Sequence, residues 1–125
     1  MIASIDDVTR WVDLYRTAWE SNLPDDIRAV FTEDAVYRSR PHDPEPATGV
    51  DAIVEGWLEE QDPPGSTTFQ WHPIAVEGDV AVIQCVTGYP AGPKAGTYDN
   101  LWVVRLSRDG RASEFTDWWI QRPER

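Results

Sequence analysis

The sequence predicts an α+β domain with helices packed on one face of a curved antiparallel sheet. Three observations carry this reading. Apolar residues recur at helical spacing only in the first half of the chain; from Thr67 onward the pattern is strand-like; and helices and strands do not alternate as βαβ units would require.

Taken in order, Ser4 can cap a helix whose first turn carries Asp6 and Asp7, where the helix dipole favours anions. Ile5, Val8, Trp11, Val12, Leu14, Tyr15, Ala18 and Trp19 then form one wide apolar stripe, which predicts a helix over 5–21. Ser21-Asn22-Leu23-Pro24 breaks it. Pro24 suits the first turn of a second, short helix ending near Thr32, with Ile27, Val30 and Phe31 at i, i+3 and i+4. Glu33-Asp34 reads as a turn and 35–40 as a strand alternating Val36, Arg38 and Arg40 against Tyr37 and Ser39. The three prolines of 41–48 predict a loop. A third helix starts at Gly49, burying Val50, Ile53, Val54, Trp57 and Leu58, and stops at Asp62-Pro63-Pro64-Gly65. Strands are expected at 67–76, 80–89, 96–106 and 111–121, with turns at Glu77-Gly78-Asp79 and Ser107–Gly110 and a loop at 90–95. Asp109-Gly110 is a strong hairpin signal, because glycine tolerates the positive φ of a tight reversal.

The totals narrow the function classes. A chain of 125 residues fits one domain, residues 1–125, and 41% hydrophobic content with seven tryptophans can fill its core. A net charge of −11 argues against nucleic acid and anionic membranes as partners, since both need basic patches. Cys85 is alone and sits in an apolar run, so it reads as core packing in a reducing compartment. The N-terminus has acids where a signal peptide has a basic region, and no apolar run approaches the ~20 residues of a membrane span; a soluble, cytoplasmic protein is expected. No His/Cys/Asp cluster has metal-ligand spacing and no glycine run makes a phosphate loop, so neither metal nor cofactor is expected.

The final hairpin holds the candidate chemistry. Alternation places Phe115, Asp117 and Trp119 on one face of the last strand, with Glu114, Thr116, Trp118 and Ile120 on the other, and groups Tyr98, Asn100, Trp102 and Val104 on its neighbour. If these sets face inward, polar groups stand among aromatic rings, as in a small-molecule pocket. An aspartate among rings loses hydration and its pKa rises, which makes Asp117 a usable acid or base near neutrality. The other readings of Asp117 are an ion pair with Arg38 or Arg40, or exposure to water. Arg38, if inward, could hold a carboxylate or phenolate. Trp118, on the other face, suits a dimer contact.

The stretches AWESNLPDDIRAVFTEDAVYR, the helix from Gly49 with Trp57, VEGDVAVI and NLWVVRLSRDGRASEFTDWW, in this order, resemble the nuclear transport factor 2-like superfamily. Within it they are most similar to the SnoaL-like branch, the fold group of ketosteroid isomerases and limonene epoxide hydrolases. The resemblance implies a cone-shaped barrel of three helices and a curved sheet with a pocket inside, and a homodimer through the outer sheet face. Tyr15 falls where the isomerases keep a tyrosine donor, but no acid occupies Ser39-Arg40-Pro41 and Trp102 stands at their acidic oxyanion donor, so that mechanism is not expected. No Asp–Arg–Asp set matches the epoxide hydrolases. SnoaL-like polyketide cyclases keep an acid on the last strand, where this chain has Asp117. The implied site is Asp117 and Tyr15 as catalytic groups, with Trp19, Trp57, Tyr98, Asn100, Trp102, Phe115, Trp119, Arg38 and His42 around a planar, mostly apolar or aromatic ligand. The superfamily also holds pure binding proteins, so a non-catalytic binding or dimerising scaffold module is the alternative reading.

Overall fold

The computed structural model describes residues 2–123. Helix α1 spans Ile5–Ser21. A reciprocal capping box starts it: Ser4 Oγ accepts from the Asp7 amide and Asp7 Oδ2 accepts from the Ser4 amide. Its apolar stripe is buried at Val8, Trp11, Val12, Tyr15 and Ala18, and Asn22 closes it in the left-handed region with its N–H on Ala18 O.

Helix α2 (Pro24–Arg28) is shorter than expected. The carbonyl of Val30 is claimed by the Trp11 indole N–H at 3.1 Å and by the Ala112 amide at 2.8 Å, which draws the chain out of the helix and into the sheet. Strand β1 therefore begins at Phe31 and runs to Arg38. Glu33-Asp34 is not a turn: the pairing register slips between Phe31 and Val36, and this bulge lets two successive side chains face solvent. β1 stops short of Arg40 because Asp43 binds the Ser39 amide and hydroxyl, starting the loop. That loop contains a two-residue strand, β2 (Ala47–Thr48), which sequence alone did not reveal.

Helix α3 (Val50–Glu59) opens at Gly49, whose φ of 88° suits glycine and whose N–H reaches Ala35 O. Strands β3 (Thr68–Glu77), β4 (Val80–Tyr89), β5 (Gly96–Leu106) and β6 (Ala112–Gln121) follow within one residue of expectation. The sheet order is β2-β1-β6-β5-β4-β3. The meander is antiparallel as expected, but β1 pairs with β6 in parallel, so the sheet is mixed. The result is an α+β cone, with α1 and α3 against the concave face.

Side-chain parity on the last two strands is as expected: Trp102 and Val104 on β5 and Phe115 on β6 are buried inward. On β4 both faces are apolar in sequence, and the structure assigns Ala81, Ile83, Cys85 and Thr87 to the interior. The narrow end of the cone is packed solid around Trp11, Phe31 and Phe115, which make ring contacts with Tyr15, Tyr37 and Trp102.

Candidate functional site

The wide end of the cone is hollow. A cavity of about 620 Å³ lies between the sheet, α1 and α3, and reaches the surface beside the 39–47 and 90–95 loops. Its walls are aromatic: Tyr15 and Trp19 from α1, Trp57 from α3, Tyr37 from β1, Tyr89 from β4, Tyr98 and Trp102 from β5, and Trp119 from β6.

A polar track crosses this lining diagonally over three strands. Thr87 Oγ1 donates to Asn100 Oδ1 at 3.1 Å, and Asn100 Nδ2 donates to Asp117 Oδ1 at 3.1 Å. The register explains it: Thr87 lies opposite Tyr98, Asn100 opposite Trp119 and Trp102 opposite Asp117, so each bond joins diagonal neighbours on one face. Thr87, only 4% exposed, fixes which way the Asn100 amide points and so aims its NH₂ at the carboxyl group.

Asp117 has no ion pair among the described residues. Arg38 instead meets Glu114 at 3.5 Å on the opposite face of the sheet. Burial pushes the Asp117 carboxyl up to about 6, with the Asn100 amide and the nearby Trp102 indole opposing the rise. The Trp102 N–H nevertheless makes no hydrogen bond of standard geometry. It is a buried donor, 2% exposed, left without a partner in the cavity wall. Burial also pushes Tyr15 and Tyr37 well up, so both phenols stay protonated and able to donate.

At the mouth, Lys94 bridges two loops. Its Nζ is 3.1 Å from Asp62 Oδ1, 3.3 Å from Glu60 O and 5.5 Å from the centre of the Tyr89 ring. Asp62 Oδ2 accepts from Trp19 Nε1 at 2.9 Å, and Tyr98 OH donates to Lys94 O at 3.1 Å, which ties this strap to two wall residues. Trp119 is 53% exposed and donates its indole N–H to Ser39 O.

Of the residues expected at the site, Asp117, Tyr15, Trp19, Trp57, Tyr98, Asn100, Trp102 and Trp119 are brought together around the cavity. Phe115 lies beneath it, wholly buried and stacked on Tyr37, as floor and not as lining. Arg38 and His42 are not in the lining. Arg38 shares the outward parity of β1, and His42 is exposed with a φ of 55° in the loop. Sequence reasoning missed Tyr37, Thr87, Tyr89, Asp62 and Lys94. For Tyr37 the signal was the inward parity of β1, opposite to the face of Arg38; for Thr87 and Tyr89 a face assignment of β4 would have sufficed.

A family model described as a SnoaL-like domain matches residues 8–115. The chain belongs to the SnoaL-like domain family. Solved structures support the same fold for this SnoaL-like chain. It is similar to an LEH-like epoxide hydrolase of M. tuberculosis (16% identity, 92% of this chain and 84% of that one, TM-score 0.67). It is also similar to a ketosteroid isomerase-like protein of Erwinia carotovora atroseptica (18% identity, 94% and 97% covered, TM-score 0.65). A third likeness is to a putative polyketide cyclase of Sinorhizobium meliloti (20% identity, 86% and 93% covered, TM-score 0.62). No curated protein matches the sequence. Among the described residues, no helix of this SnoaL-like chain is long and apolar enough to cross a membrane.

Proposed function

We propose that this SnoaL-like protein is a cofactor-free enzyme of the isomerase, cyclase or lyase type. Its substrate is a planar, mostly apolar small molecule, and Asp117 moves a proton at a carbon next to a carbonyl group. The observation that carries this reading is Asp117 itself: a carboxyl buried among rings, free of any cation among the described residues, and open to a hollow large enough for a fused-ring molecule. As carboxylate it takes the α-proton and becomes the acid; the substrate becomes an enolate whose oxygen needs donors. The Trp102 indole N–H and the phenols of Tyr15 and Tyr37 line the same space. The proton then returns from Asp117 to carbon, which closes the cycle without a co-reactant.

Proton exchange on a model ketone tests the step. With β-tetralone in D₂O, the protein is expected to speed deuterium uptake beside the carbonyl, and Asp117→Asn to remove most of that acceleration, roughly 10²-fold or more. Equal rates for the two proteins would remove the proton-transfer reading. The base form gains as pH rises, so the rate is expected to climb through about 6 and level off above it.

The alternative is a non-catalytic module of the same fold. Its support is the outer sheet face, where Leu101, Trp118 and Ile120 are exposed on adjacent strands; this is the surface we propose for a homodimer. A monomer in sedimentation equilibrium, unchanged by Trp118→Glu, would count against it.

A further inference from the structure

The charges around the cavity are one-sided. Asp43, Glu45, Glu60 and Asp62 line its mouth and Asp117 its depth, whereas Lys94 is the only cationic side chain in the lining among the described residues. Lys94 is already engaged by Asp62. Glu45 and Glu60 have no ion-pair partner among the described residues, and both are exposed to the solvent that a ligand must leave. No three of these acids converge as metal ligands among the described residues.

We infer that the ligand of this pocket carries a protonated amine at the end that stays near the mouth, on a planar ring system that fills the aromatic chamber. The proposal rests on the pocket reading above and names the charge of its substrate class. Two further observations point the same way. The protein already seats an ammonium at this rim: Lys94 Nζ lies between a carboxylate oxygen, a main-chain carbonyl and the face of Tyr89, the three kinds of partner that an alkylammonium ligand takes. At the other end, the Trp102 N–H makes no hydrogen bond of standard geometry even to the Asp117 carboxyl opposite it, so a ligand oxygen or nitrogen lone pair in the depth would complete it. A ligand bearing a carboxylate or phosphate would meet a negative mouth and no free cation in the lining.

Three naphthalenes with one substituent at the same position test this: aminomethyl, hydroxymethyl and carboxylate. Binding is followed by NMR on the Trp102 and Trp119 indole N–H signals at about pH 7.5, where the amine is charged and the acid ionised. The aminomethyl compound is expected to bind about tenfold more tightly than the hydroxymethyl one, with the carboxylate weakest, and high salt should shrink the gap. The double variant Glu45→Gln, Glu60→Gln, checked for native fold by circular dichroism, should cut the amine-to-alcohol preference severalfold. A carboxylate that binds as tightly as the amine, or a preference untouched by the double variant, overturns the inference. If the alcohol binds inside the cone with no preference for the amine, the inference falls and the pocket reading stands. If none of the three compounds moves the Trp102 signal, both fall.

Discussion

At Asp117 two effects act against each other on a single carboxyl group. Loss of water favours the protonated form, while the amide of Asn100 favours the charged one, and the outcome near 6 means that desolvation wins. The linkage has a definite sign. A native pKa above the unfolded value makes the folded state hold the extra proton, so this contribution is complete at low pH and is lost as pH rises through about 6. A shift of this size corresponds to about 3 kcal/mol at most. Asp117→Asn is therefore expected to stabilise the protein above neutrality by about 1–3 kcal/mol and to change little at acid pH, as urea denaturation at the two pH values would show. The Thr87 hydroxyl has a separate role: without it the Asn100 amide loses its orientation. Thr87→Val should raise the Asp117 pKa further, because the donor that favours the carboxylate is no longer aimed, and should destabilise by about 1 kcal/mol, the usual worth of one hydrogen bond, since the half-buried Asn100 oxygen faces the cavity. Cys85 needs no such accounting. Burial pushes its thiol well up, and it should stay unlabelled by maleimide until the protein unfolds.

Among the elements, the strands that bear the site were the easiest to read and the loops that close it the hardest. The alternation of β5 and β6 groups Asp117 with Phe115 and Trp119, and Asn100 with Trp102, each on one face, so the sequence could join them, while which face turns inward, and whether Asp117 is paired or exposed, stayed open. β4 is apolar on both sides, which hid Thr87 and Tyr89. β1 was obscured by its bulge: Glu33-Asp34 looks like a turn because turns and bulges both expose consecutive polar residues. The strap of Lys94 and Asp62 comes from two Pro- and Gly-containing loops that have no period, and their meeting depends on the β3-β4 hairpin that separates them in the chain. This strap makes its own prediction. Asp62→Ala removes the acceptor of both Lys94 and the Trp19 indole, so amide exchange in 90–95 should quicken while the strands keep their protection. At the closed end, Phe31 anchors β1 against Phe115, Tyr37 and Trp57; Phe31→Ala should cost about 3–5 kcal/mol in a denaturant titration.

For the molecule as a whole, the cone divides into a packed tip and a hollow base, and aromatic residues serve both. Seven tryptophans in 125 residues announced a large aromatic interior, but composition could not say which rings pack and which line a space. The division shows in the ring contacts: Trp11 of α1 meets Trp102 and Phe115 at the packed end, while Asn100, Asp117 and Trp119, further from the turn of the last hairpin, line the cavity. The parallel pairing of β1 with β6 was not visible in the sequence either, because it joins strands about 80 residues apart and local pattern carries no sign of it. Proton transfer in that hollow end needs an acid that gains and loses a proton at physiological pH. The direct measurement is the titration of the Asp117 side-chain carboxyl carbon by NMR, assigned by comparison with Asp117→Asn. A midpoint near 6 is the expected result; a midpoint near the ordinary aspartate value of about 4 would contradict it.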